Sequence, residues 1–256
     1  MATDQRPKLQ STPSTVPLIH VCAELAHKVD LFLNEATAND DEKSRLRQST
    51  RKRTRESLDV ISQALARYTF DELAISFNGG KDCLVMLVLL LASIHYHKSE
   101  YAPQRIHSVY VHSANAFVQV DEFVSLCGET YSLDLIRLPG PMKAAFTHFL
   151  HAKPHVRAIM VGTRRTDPNG GALGYFDETD GGWPRFMRVH PVIDWEYAEI
   201  WLFLRELGIR YCGLYDEGYT SLGGTTDTVP NPALERAGGF LPAYELSDGE
   251  KERLGR

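Results

Sequence analysis

Leu73-Ala74-Ile75-Ser76-Phe77 runs into Asn78-Gly79-Gly80-Lys81-Asp82, and the ten residues 83–92 that follow are all apolar. A short apolar run stopped by a Gly-Gly turn reads as a buried strand. A helix that is apolar nearly all round has to lie inside a domain rather than on it. The unit is therefore strand, polar loop, core helix, and it dictates much of what the rest of the chain can build. At 256 residues there is room for one full-sized α/β domain with a helical annex.

The remaining periodicities agree. Residues 106–111, 133–138 and 157–161 read as further strands, with helices over 82–97, 118–131 and 142–151 between them. Strand–helix alternation of this kind means parallel pairing through right-handed crossovers, hence an α/β fold with an open, mostly parallel sheet and helices on both faces. The alternation breaks at Gly162, where a long loop rich in Gly, Asp, Thr and Pro extends to Arg185. Loops of that length in a compact domain are usually functional or disordered. One more strand is expected over 186–192, an amphipathic helix over 195–207 with Trp195 and Trp201 packing against the sheet, and a turn-rich segment over 208–256. Upstream, helical spacing over 16–36 and 41–68 predicts an N-terminal helical extension spanning 16–70, and the polar start, 1–15, is expected to be disordered. The second of these helices carries Arg45, Arg47, Arg51, Lys52, Arg53 and Arg55. That cluster is either a nucleotide- or RNA-binding patch or a solvated helix face balanced by nearby acids, and the solvated face is the better reading.

The chemistry starts in the loop. Ser76, Phe77, Asn78, Gly79, Gly80, Lys81, Asp82 and Cys83 sit at the carboxyl end of the first strand, where open α/β sheets bind ligands. Two glycines allow a tight turn of bare amides, a helix N-terminus adds donors and partial positive charge, and Lys81 adds a full one. A pyrophosphate group suits such a place. The loop lacks the GxxxxGK[ST] spacing of a Walker A motif, since position 75 is Ile and Asp82 follows Lys81. It resembles instead the PP-loop of the N-type ATP pyrophosphatases, with Cys83 where a serine is usual. Within that superfamily, residues 73–256 are similar to the FAD synthase branch related to phosphoadenylyl-sulfate reductases.

Three further segments acquire meaning beside that loop. Val161-Gly162-Thr163-Arg164-Arg165-Thr166-Asp167-Pro168 follows the fourth strand and offers two guanidinium groups and a carboxylate at the same sheet edge. Arginine suits bidentate phosphate contact, and Asp167 could hold Mg²⁺ beside ATP phosphates. The segment resembles the G-x-R-x-T-D-P stretch of FAD synthases. In 180–195, Trp183, Phe186 and Met187 could form a flat apolar slot, with Asp177, Asp180 and Arg188 to hydrogen-bond a heterocycle. An ordinary core segment looks much the same, and the run resembles the family's flavin-binding segment. Arg253 and Arg256 lie within one helical turn and could clamp a phosphate. By composition alone a frayed charged end is the better reading, and the phosphate role comes from resemblance to the tail of fungal FAD synthases.

The resemblance implies FMN + ATP giving FAD + pyrophosphate. Asn78, Lys81, Asp82, Asp167, Arg253 and Arg256 are the expected catalytic group. ATP would rest on Ser76, Phe77, Gly79, Gly80, Cys83, Val111, Gly162 and Arg164. Flavin would meet Asp177, Asp180, Trp183, Phe186 and Arg188, and Asp82 and Asp167 would place Mg²⁺. Rival readings are a sulfonucleotide reductase, an ATP-dependent tRNA thiolase, and a nucleotide sensor without turnover. No ECGxH-type nucleophile string and no CxxC pair occur, which disfavours the first two.

Composition removes other classes. Net charge is −5, so the molecule as a whole has no electrostatic reason to seek nucleic acid or an anionic membrane. Four scattered cysteines, at 22, 83, 127 and 212, fit a reducing compartment, and Cys212 reads as structural. Residues 1–17 lack the apolar stretch of a signal peptide, and the longest apolar run, 83–92, is too short to span a bilayer. A cytoplasmic monomer or weak dimer follows as the expectation. Histidines 95, 97, 148 and 151 are expected as surface or packing residues rather than metal ligands.

Overall fold

The computed structural model of the chain describes residues 16–35, 41–97 and 103–256. The disorder expected over 1–15 therefore falls outside the described residues. Among the described residues the α-helices are α1 (Leu18–Asn34), α2 (Glu42–Arg67), α3 (Lys81–His97), α4 (Val118–Thr130), α5 (Met142–Ala152) and α6 (Tyr197–Glu206). They combine with strands β1 (Leu73–Ser76), β2 (Ile106–His112), β3 (Leu133–Pro139), β4 (Ala158–Val161), β5 (Phe176–Glu178) and β6 (Met187–Val189).

The sheet runs β3-β2-β1-β4-β6-β5. All neighbours are parallel except β5, which runs antiparallel to β6 at the edge. That strand lies inside the stretch expected to be one long loop. Three residues, two of them acidic, carry no usable periodicity, and β5 exists because β6 offers it an open edge. The strand expected over 186–192 shortens to Met187–Val189, since the chain turns at 191–194 to enter α6.

Helix α3 behaves as its composition demands. Every residue from Cys83 to Ile94 is buried, so it needs cover on all sides. The sheet supplies one flank, and α1, α2 and α6 supply the others. Buried residues of α1 and α2, among them Val29, Phe32, Val60 and Ile61, belong to the same core as β1 and α3. Helices α1 and α2 thus form the outer wall of the main core rather than an appended annex. On the opposite face α5 packs Phe146 and Phe149 over Ala74, Val109 and Ile159.

Part of the basic cluster on α2 keeps the solvated character expected, Arg45, Lys52 and Arg55 being exposed and Lys52 and Arg53 pairing with Glu56, but two of its arginines find a different use. Arg47 reaches Glu206 on α6 at 2.7 Å and Glu35 after α1 at 2.6 Å. Arg51 is buried and donates from Nε to the Phe32 carbonyl at 2.6 Å. These arginines fasten α2 to its neighbours. A buried polar bridge does the same further along: Ser57 donates to the Pro191 carbonyl at 2.6 Å and accepts from Trp195 Nε1 at 2.8 Å. It fixes the end of β6 against α2. Trp195 and Trp201 are both buried, Trp195 edge-on to Phe203 and Trp201 edge-on to Tyr211 and Tyr215. Among the described residues, no helix is long and apolar enough to cross a membrane.

Candidate nucleotide site at the sheet switch point

Strand order reverses beside β1: β2 and β3 lie on one side of it, β4 and β6 on the other. Connections leaving β1 and β4 diverge there and open a crevice at the strands' carboxyl ends. Both loops singled out in the sequence meet in it. Phe77 is fully buried and its backbone N–H bonds to the Val109 carbonyl at 3.0 Å, which anchors the first loop to the sheet. Asn78 is exposed, and its Oδ1 accepts from Gly80 N at 3.0 Å. Gly79 takes φ +76° with Val124 of α4 so close that a Cβ would sit 2.9 Å from its Cγ2, so both conformation and space require glycine.

The second loop docks on the first through Gly162. A Cβ there would lie 2.7 Å from Cys83 Sγ and 2.8 Å from Cys83 N. Gly162→Ala is therefore expected to push the β4 loop off the α3 N-terminus at a cost of about 1–3 kcal/mol. In thermal unfolding this should appear as a midpoint lowered by about 5 °C; an unchanged midpoint would mean that the two loops are not tightly joined.

Behind the loops lies a buried quartet of charges. Lys81 and Arg164 side chains are each 2% exposed. Lys81 Nζ sits 3.1 Å from Asp82 Oδ2 and also bonds Glu252, while Arg164 Nε lies 2.7 Å from Asp82 Oδ1 and its Nη2 bonds Glu252. Burial alone would raise the Asp82 carboxyl, but Lys81 and Arg164 beside it hold it below the usual carboxylate range. Burial likewise works against charge on Arg164, yet Asp82 and Glu252 outweigh it and strengthen its hold on the proton. Lys81 N donates to the hydroxyl of Tyr215 at 2.9 Å, and burial pushes that phenol well up, so it stays neutral. Burial, with the Asp82 charge next, pushes the Cys83 thiol up to about 12, so it is no nucleophile.

Several sequence expectations change here. Lys81 does not offer its charge to the solvent side of the loop, because Asp82 and Glu252 absorb it. Both Asp82 oxygens face cations, so Asp82 fits poorly as a Mg²⁺ ligand. Arg164 is consumed in the quartet, and Arg165 braces the loop by bonding Asp194 at 2.6 Å and the Leu173 carbonyl at 2.9 Å. Asp167 remains at the rim. One of its oxygens accepts from Arg164 N at 2.9 Å, and the other stands 3.5 Å from Nη1 of Arg253. Arg256 donates to the Leu222 carbonyl at 3.1 Å. Arg253 and Arg256 are exposed, and they are the arginines of the segment that face solvent. Ser76 is half-buried at the end of β1. Among the described residues no three metal-ligating side chains gather in one place.

The residues expected for flavin group at β6 and β5, two and three strands from β1, about 10 and 14 Å away. Asp177 and Arg188 are cross-strand partners. Asp177 accepts from Gly174 N at 2.8 Å and lies 3.5 Å from Nδ1 of the buried His190. Arg188 bonds the Glu178 carbonyl at 2.8 Å and stands 3.4 Å from Asp180. Phe186 is buried and packs on Phe146, ring centres 5.2 Å apart, so it supports the region from beneath instead of lining a slot. Trp183 and Val111 are only partly buried on that same cluster. Cys212 is fully buried, as expected of a structural residue, and His95, His97, His148 and His151 are exposed.

Two participants carried no sequence signal. Glu252 sits among seven charged or small residues of the tail, and Tyr215 is one of eleven tyrosines. Nothing local marks either one.

An α/β fold with a glycine loop at its switch point defines a nucleotide-binding class, and comparison with known proteins narrows it. The phosphoadenosine phosphosulfate reductase domain matches residues 72–230. A probable FAD synthase of Schizosaccharomyces pombe is 48% identical over 207 residues, 78% of this chain and 77% of that one. The flavin adenine dinucleotide synthase of Saccharomyces cerevisiae is 34% identical over 218 residues, 77% and 71% of the two chains. Candida glabrata FMN adenylyltransferase, solved with FAD and inorganic pyrophosphate, superposes with a TM-score of 0.88 at 25% identity over 94% of this chain and 100% of that one. The chain belongs to the phosphoadenosine phosphosulfate reductase domain family and, within it, to the FAD synthases. The structural overlap takes in the N-terminal helices, which the sequence resemblance left aside.

Proposed function

We propose that this enzyme transfers the adenylyl group of ATP to the phosphate of FMN, giving FAD and pyrophosphate. One observation carries the reading: Arg253 of the tail and Asp167 of the β4 loop meet at the rim of the crevice that the glycine loop floors. Phosphates of two substrates can be gathered there. A phosphate oxygen of FMN attacks the α-phosphorus, and the bond from that phosphorus to the bridging oxygen of pyrophosphate breaks. FMN phosphate is mostly dianionic at neutral pH, its second pKa being about 6, so it is already a nucleophile and needs no general base. The protein's work is to bring two anions together in line.

In this reading the 78–80 loop cradles the departing pyrophosphate, while Asn78, Arg253 and Arg256 orient the attacking and equatorial oxygens. Asp167, partly exposed at the rim with its outer oxygen held only by the 3.5 Å contact to Arg253, is the residue that would hold Mg²⁺ together with phosphate oxygens. A bound Mg²⁺ would supply neutralisation of phosphate charge. Asp177, Asp180, Trp183 and Arg188 flank the flavin ring. The rival reductase needs an accessible cysteine nucleophile, and all four cysteines are free and buried. Those reduced thiols also support a cytoplasmic setting, and the protein acts as a monomer or weak dimer.

The test is incubation of purified protein with FMN, ATP and Mg²⁺, resolving the products chromatographically. FAD and pyrophosphate should form in equal amounts. Bound ATP without FAD would overturn the flavin assignment and leave only the nucleotide site. Nucleotide binding without any pyrophosphate release would favour the sensor.

A further inference from the structure

Lys81 and Arg164 are two cations buried side by side, and of their own segments Asp82 is the carboxylate that pairs with both side chains, Asp167 acting only on Arg164 and from the rim. An uncompensated buried charge is strongly destabilising, so a second anion is required. It comes from the tail. Glu252, 171 residues beyond Lys81 and 88 beyond Arg164, bonds Lys81 with one carboxylate oxygen and Arg164 with the other.

The backbone around Glu252 is held as tightly as its side chain. Its carbonyl accepts from Thr220 Oγ1 at 2.6 Å. The fully buried Asn231 donates to the preceding Lys251 carbonyl at 2.8 Å, and Val229 N donates to the Gly255 carbonyl at 2.9 Å. Yet the neighbours on either side, Lys251 and Arg253, are exposed, as is Arg256 three residues further. One inward carboxylate therefore sets where the outward arginines stand.

We propose that Glu252 is a positioning residue for the adenylyl transfer: by neutralising the buried Lys81–Arg164 pair it locks the tail so that Arg253 and Arg256 face the phosphate crevice. The role rests on the FAD synthase reading given above. It also gives a segment of charged, frayed composition a reason to stay in place, since withdrawing Glu252 would leave buried charge uncompensated.

A double-mutant cycle tests this with the full chain. Four proteins are compared for FAD formation: wild type, Glu252→Gln, Arg253→Ala/Arg256→Ala, and the triple variant. Wild-type FAD formation checks the reading itself; if it is absent, the functional assignment fails before Glu252 is at issue. Given activity, Glu252→Gln should lower kcat/KM for FMN at least about tenfold. In the variant already lacking both arginines, adding Glu252→Gln should change little, because nothing is left to position. Fully multiplicative effects would overturn the proposal. So would a Glu252→Gln protein that binds ATP more tightly with FMN kinetics unchanged, which would make Glu252 a stand-in for a phosphate. Should Glu252→Gln not fold, Thr220→Val releases the Glu252 carbonyl while keeping the ion pairs. It should lower kcat/KM for FMN in the same arginine-dependent way; an arginine-independent loss would count against positioning.

Discussion

Arg164→Met should lower stability by about 3–5 kcal/mol, a figure set by breaking a buried ion pair and leaving its partners behind. In a chain of 256 residues that is a fall in thermal midpoint of about 10 °C. Methionine fills much of the same volume, so the loss is one of charge rather than of packing. Two carboxylates, Asp82 and Glu252, would then face a single ammonium, Lys81. The pH dependence identifies the cause. In the native protein Asp82 is held below the usual carboxylate value despite its burial. Its ion pairs therefore contribute stability that is complete above the unfolded value of about 4 and is lost as pH falls through the lower folded value. Without Arg164 one of the charges that hold the Asp82 carboxyl down is gone, so Asp82 takes up its proton at higher pH, which relieves the repulsion. The stability gap between variant and wild type should narrow from pH 8 to pH 5. A gap that is constant with pH would show that Arg164 matters by shape alone.

Arg253→Ala/Arg256→Ala should do the reverse: large loss of activity, small loss of stability. Both residues are exposed, and their contacts are weak ones, Arg253 to Asp167 at 3.5 Å and Arg256 to the Leu222 carbonyl at 3.1 Å. Exposed pairs of this sort contribute about 0–1 kcal/mol, so the midpoint should move by no more than about 3 °C. Activity is another matter. Donors aimed at charge that develops in a transition state are each worth about two to three orders of magnitude in rate. FAD formation, measured as kcat/KM for FMN, should fall at least that far. A fall of less than tenfold would remove the arginines from the reacting phosphates.

Element order was legible in the sequence because periodicity is a local property. The strand before the glycines, the largely apolar α3 and the helices after β2 and β3 appear within a residue or two of where their patterns place them. So does the glycine turn, since Gly79 is needed for a backbone angle and a close approach that any chain with this turn would share. β5 escaped notice for the opposite reason: its conformation comes from pairing with β6, not from its own three residues.

The destination of charge was decided only by the tertiary structure. Lys81, Asp82 and Arg164 look in sequence like groups offered to phosphate and metal, and they prove to be engaged with one another and with Glu252. Arg47 and Arg51 of α2 look like part of a solvated face and act as ties to the α1 region and α6. A hydrophobic pattern repeats every few residues and can be read in place. A buried ion pair joins residues 88 or 171 positions apart, and no local pattern records which charge will meet which until the chain has packed.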